Sequence, residues 1–134
     1  MYSYSICYPD KAEIEYPGKR LSGKEVIELV SSYPWVDQLK KLESIPYADV
    51  HYNPSIDFKN VDDNHSFCLT AEGEPDAERF SVWYAKPVVK KTWFGLSEKE
   101  VMDVVDKNFS KEDSFRLLDG FLKQNYDLLE KEIK

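Results

Sequence analysis

Apolar and polar residues alternate most regularly between Asn64 and Gly95, and this alternation predicts a three-stranded antiparallel meander. In His65 to Ala71, Phe67, Leu69 and Ala71 share one parity while Ser66, Cys68 and Thr70 take the other, as in a strand buried on one side. Glu72 to Asp76 forms a turn cluster around Gly73 and Pro75. A second run, Glu78 to Lys86, sets Phe80, Val82 and Tyr84 against Ser81, Trp83 and Ala85. A third, Val88 to Phe94, follows Pro87, which marks a strand start, bulge or edge. Both parities of these last two runs carry large apolar groups. One sheet face is therefore expected to meet helices and the other to present Trp83 and Trp93.

The flanking segments supply further strands and the helices. Tyr2 to Tyr8 reads as a strand and Ala12 to Tyr16 as a candidate partner for it. Leu21-Ser22-Gly23-Lys24-Glu25-Val26 opens a helix with a capping box between Ser22 and Glu25, and Val26, Ile27, Leu29 and Val30 point inward. Pro34 begins a second helix with Trp35, Val36, Leu39 and Leu42 near one stripe, ending before Pro46. Val50 to Tyr52 and Ile56 to Phe58 are candidate short strands, and Val61 to Asn64 turns into the meander. Leu96-Ser97-Glu98-Lys99-Glu100-Val101 repeats the first helix start and predicts another helix with Val101, Val104 and Val105 on its apolar side. LSGKEVIELV and LSEKEVMDVV share six residues in ten, through an old duplication or, preferably, because good helix caps share one grammar. Ser110 caps a closing helical segment carrying Phe115, Leu118, Leu122, Tyr126, Leu129 and Ile133, with a breaking point at Gln124-Asn125. These elements predict one α+β domain over residues 1–134. Its helices pack on one face of a mainly antiparallel sheet of about five or six strands.

Composition narrows the function. The chain has 134 residues, 42% hydrophobic and 32% charged, which is ordinary globular usage and enough to build a core without disulfides or metal. Cys7 and Cys68 read as buried thiols on strands, in preference to a bridge between them. The N-terminal residues lack a basic segment before an apolar core, and no run approaches the ~20 apolar residues of a membrane span, so a cytosolic, non-membrane protein is expected. The net charge of −7 is concentrated: Asp49, Asp57, Asp62, Asp63, Glu72, Glu74, Asp76 and Glu78 face only Lys59 between residues 49 and 78, and the rest of the chain balances. Such a surface disfavours nucleic acid and favours a basic partner.

The motifs with chemical meaning stop short. Gly18 to Lys24 fits the phosphate-binding pattern G-x-x-x-x-G-K, but Glu25 stands where Ser or Thr would hold magnesium, and a carboxylate there repels phosphate. His65-x-x-Cys68 has ligand-like spacing, yet residues three apart on a strand point to opposite faces. Asp57 with Asp62-Asp63-Asn64 resembles a calcium loop in composition only. No metal or cofactor is expected. A hydrolase built on His51 or His65 ranks third among the functional readings.

Nine tyrosines and three tryptophans are more than a core of this size must bury, and aromatics beside carboxylates suit a protein interface, with rigid anchors inside and steering charge at the rim. An acid-rich sheet-and-loop middle, DFKNVDDNHSFCLTAEGEPDAERFSVWYAK, followed by a helical close, SKEDSFRLLDGFLKQNYDLLEKEIK, resembles in layout the small immunity proteins that bacteria pair with polymorphic or contact-dependent toxins. That resemblance implies a non-enzymatic domain that masks a toxin. The expected contact set is Asp57, Asp62, Asp63, Glu72, Glu74, Asp76 and Glu78, with Tyr52, Trp83, Tyr84 and Trp93 as anchors. A small-ligand or regulatory module with an aromatic pocket over the open sheet face is the alternative.

Overall fold

A computed structural model describes residues 1–91 and 98–134. Among them, five strands form one sheet: β1 (Tyr2–Cys7), β2 (Ser55–Asn60), β3 (Ser66–Glu74), β4 (Ala77–Lys91) and β5 (Glu98–Ser110). They lie in sequence order, and every neighbouring pair is antiparallel. Four α-helices complete the described fold: α1 (Gly23–Ser32), α2 (Trp35–Ser44), α3 (Lys111–Leu122) and α4 (Tyr126–Ile133). It is the α+β arrangement expected, with helices packed on one sheet face.

Strand parity decides what the helices cover. Ile56 and Phe58 of β2, Phe67, Leu69 and Ala71 of β3, and Phe80, Val82 and Tyr84 of β4 are all buried on the helix side. α1 contributes Val26 and Val30, α2 contributes Trp35 and Leu39, and the C-terminal pair contributes Leu117, Leu118, Phe121, Leu129 and Ile133. Ile27, expected to point inward, remains 37% exposed. The expected cap of α1 forms: Ser22 Oγ accepts from Glu25 N at 3.2 Å and Glu25 Oε1 accepts from Ser22 N at 3.1 Å. Glu25, the residue that spoils the phosphate-loop pattern, is thus held in a helix cap.

The closing helical segment divides at the foreseen point, where Gln124 takes φ +58° between α3 and α4. Gly120 makes the fold-back close. A Cβ there would lie 3.1 Å from a Leu128 methyl, and its carbonyl accepts from Asn125 N at 2.9 Å. The glycine that weakens α3 as an isolated helix is the one that lets α4 pack beside it.

Four expectations are corrected. The expected helix from Leu96 to Val105 is, from Glu98 onward, the long strand β5, with Leu96 and Ser97 outside the described residues. Its ten-residue near-repeat of α1 therefore folds as a strand where described, because β-branched Val101, Val104 and Val105 suit a pleated surface and β4 offers Arg79 to Lys91 as partners. The expected third run from Val88 is instead the continuation of β4, which passes straight through Pro87; Trp93 lies outside the described residues. β3 pairs no further along β4 than Ala85, so beyond that point no strand pairs with that side of β4 among the described residues, and a missing N–H can face it without breaking a ladder. Finally, Ala12 to Tyr16 contributes only the isolated bridge Ile6 to Glu15, and Val50 to Tyr52 follows a 3₁₀ turn (Tyr47–Asp49) without forming a strand.

Candidate functional site

The second sheet face carries the candidate site. On it, register aligns Ser5, Asp57, Cys68, Trp83 and Asp106 in one row across all five strands. The flanking rows are mostly small: Ser66, Ala85 and Val104 on one side, with Lys59 of β2 next to Ser66, and Thr70 and Ser81 on the other. One large ring among short side chains leaves a depression of about 390 Å³, bounded by Asp57, Cys68, Trp83, Met102 and Val104. Its apolar wall stands in water, for Trp83 is 41%, Met102 44% and Val104 50% exposed. A second depression, of about 290 Å³, lies on the β1 side and is lined by Tyr16, Lys19, Arg20 and Lys59; Asp57 is the wall between the two.

Asp57 combines access with confinement. Water reaches it, yet strand atoms fill much of the space around its carboxyl, and this burial pushes the group up to about 6 against the opposing pull of Lys59. Cys68, beside it on β3, is pushed up to about 12, first by burial and then by the Asp57 charge. A thiol held that high stays protonated at neutral pH and is a poor nucleophile.

The Asp57 shift has a consequence for stability. A folded carboxyl above its unfolded value of about 3.9 binds its proton more tightly in the folded chain, so stability falls as pH rises from about 4 to about 6. Asp57→Asn is therefore expected to raise the thermal midpoint at about pH 7.5 and to leave it nearly unchanged at about pH 4. Thermal unfolding followed by circular dichroism at both pH values checks this, and a lower midpoint at the higher pH contradicts it.

The other expected contact residues do not share this face. Asp62 and Asp63 sit in the β2–β3 turn, where the N-terminal ammonium lies 3.9 Å from Asp62 and Asp63 accepts from Tyr126 Oη at 2.5 Å. Glu74 and Asp76 belong to the β3–β4 hairpin, at the far end of a nine-residue strand about 30 Å long. Glu72 is on the open face at that end, where Asn108 donates to it and in turn accepts from Arg79 Nε at 2.6 Å. Glu78 points to the helix side, its side chain 14% exposed and paired with Lys111 at 3.0 Å. The 49–78 carboxylates are thus spread over both ends and both faces of the sheet rather than forming one wall.

Of the expected anchors, Trp83 alone among the described residues projects from the open face. Tyr52 donates its hydroxyl to the Ala12 carbonyl at 3.1 Å and pins the N-terminal loop. Tyr84 is 1% exposed on the core face, with its hydroxyl 2.7 Å from His65 Nδ1, and so cannot serve as an anchor. His65 stacks flat on Tyr126, their centroids 3.9 Å apart, which ties the β2–β3 turn to α4. Its ring is on the helix side and Cys68 on the open side, as strand parity predicts. His51 is exposed, its amide bonded to the Pro9 carbonyl near the opposite end of β1 from His65, so the two histidines do not converge.

Met102 and Val104 were missed because residues 96–105 were assigned to a helix. Read with period two, Met102, Val104 and Asp106 fall on one side of β5 and Val101, Val105 and Phe109 on the other, and that alternation was the available signal.

The arrangement defines an α+β domain with one sealed sheet face and one open face that is apolar at its centre. No family model, curated protein or solved structure matches the chain. Among the described residues no helix is long and apolar enough to cross a membrane.

Proposed function

We propose that this chain is a non-enzymatic protein-binding domain that neutralises a basic toxin domain, in the manner of bacterial immunity proteins acting in the cytoplasm. The observation that carries this reading is the open sheet face, where Trp83, Met102 and Val104 stand exposed around a depression with carboxylates beside it. Large exposed apolar side chains gathered on one rigid surface are costly to leave in water and mark a place where another molecule excludes it. The net charge of −7 suits a basic partner and would speed its approach. The contact surface thereby moves from the acidic turns to the centre of the sheet, with Glu72, Glu74 and Asp76 left to steer.

Two sets of substitutions separate these roles in co-expression with the product of the adjoining reading frame. Met102→Glu with Val104→Glu is expected to abolish both a one-to-one complex and protection of growth. Glu72, Glu74 and Asp76 changed to lysine should slow association and weaken its salt dependence while leaving the complex intact. If the first set leaves complex and protection unchanged, the open face is not the contact surface; if only the hairpin set abolishes them, contact lies at the acidic turns.

The same depression supports a second reading, a small-ligand or regulatory module, because its volume lies within the range of small-molecule sites. A thermal-shift screen without any protein partner distinguishes the two.

A further inference from the structure

We propose that the depression beside Trp83 receives a basic side chain of the partner, its aliphatic stem lying along Trp83, Met102 and Val104 and its cationic head held by Asp57. This rests on the protein-binding reading above and names what the central subsite takes.

The argument begins with the row across the sheet. Asp57 is two strands from Trp83, with Cys68 between them, and Asp106 is the direct β5 neighbour of Trp83 on the other side. Strand spacing puts the Asp57 and Asp106 backbones about 9–10 Å and about 5 Å from that of Trp83. Among the described residues, neither carboxylate enters an ion pair within 4.0 Å, and no Lys or Arg stands over the Trp83 ring. Carboxylates on both sides of an exposed indole give a surface that repels anions and attracts cations, through charge and through the negative face of the ring.

The shape selects a cation on a stem over a bare ion. A metal ion asks for converging oxygen or nitrogen ligands, whereas Asp57 is the one carboxylate lining this hollow. A lysine or arginine side chain matches that lining, since its methylenes cover apolar surface while its head reaches Asp57. Cys68 stays an uncharged neighbour, and Ser66 and Thr70 offer hydroxyl oxygens as acceptors at the edge. Lys59 lies two residues along β2 from Asp57, opposite Ser66, and lines the other depression with Lys19 and Arg20. The two hollows thus have opposite charge character, and the basic one would turn a partner's cation toward Trp83.

The test uses the full chain and a small probe, n-butylguanidinium, with no protein partner present. Indole N–H resonances are followed by NMR, with the Trp83 signal assigned by its loss in Trp83→Phe. The Trp83 signal is expected to shift saturably, while that of Trp35, whose indole donates to the Val30 carbonyl at 3.0 Å inside the core, stays still. The neutral analogue n-butylurea and the Asp57→Asn variant should each weaken the response about tenfold, and about 0.5 M salt should weaken it further. A Trp83 signal that does not move, or that n-butylurea moves equally, overturns the proposal. Because the titration involves no partner, its failure is distinct from failure of the protein-binding reading, which the open-face substitutions decide.

Discussion

Replacing Phe121 by alanine is expected to destabilise the fold by about 3–5 kcal/mol, lowering the thermal midpoint by roughly 10–20 °C. The ring is 0% exposed and joins three parts of the chain: its centroid is 5.8 Å from Tyr2 of β1, 5.3 Å from Phe67 of β3 and 6.1 Å from Tyr126 of α4. Tyr2 ties the same corner by donating its hydroxyl to the Leu122 carbonyl at 3.2 Å. Removing the ring leaves a cavity that sheet and helix cannot both close, so the lost burial and the lost dispersion add. Phe121→Leu keeps much of the volume and should cost less than half as much. Denaturant and thermal unfolding check both variants. A fall of only a few degrees for the alanine variant would mean that α3 does not press on the sheet as described. Since Phe121 points away from the open face, its loss should lower stability without weakening partner binding while the protein is folded.

Trp83→Ala should do the reverse. The ring is 41% exposed at the centre of the open face, and its removal opens no core cavity, so the change in stability should stay within about 1 kcal/mol. If the ring anchors a partner, its loss should cost about 2 kcal/mol or more of binding free energy, roughly a thirtyfold weaker complex, mainly through faster dissociation. Titration calorimetry with the partner, set beside the thermal midpoint of the free variant, separates the two effects. Unchanged affinity would remove Trp83 from the interface.

The two positions also show how far the chain could be read unaided. Phe67, Leu69 and Ala71 announce a half-buried strand because strand periodicity needs no partner to be visible, and β3 forms where they place it. Ser22 and Glu25 announce a helix start because a capping box is closed within four residues, and both of its hydrogen bonds form. Gln124 and Asn125 announce the break between α3 and α4 for the same local reason. Glu98 to Val105 misleads because its opening letters satisfy that local grammar while its fate is set by pairing with β4, a distant interaction. Pro87, read as a strand start, bulge or edge, takes the edge alternative: β4 runs on through it where β3 has already stopped.

The candidate site was less legible than the fold. Trp83 was placed on the uncovered side by parity alone, whereas its neighbours Met102 and Val104 were hidden by the helix assignment. The acidic segment was visible as a count, but a count along the chain contains no directions. Turns at opposite ends of β3 carry Asp62 and Asp63 one way and Glu74 and Asp76 the other.

By itself, then, the order of residues determined those features whose cause is local: hydrophobic alternation in β2, β3 and the first half of β4, the cap of α1, the stripe of α2 and the division of the C-terminal helices. The tertiary structure decided that β5 is a strand, that β4 runs through its proline, and that Asp57, Cys68, Trp83 and Asp106 share one row. These depend on which backbone groups find partners far along the chain, and hydrogen-bond pairing and burial are settled only when the sheet closes.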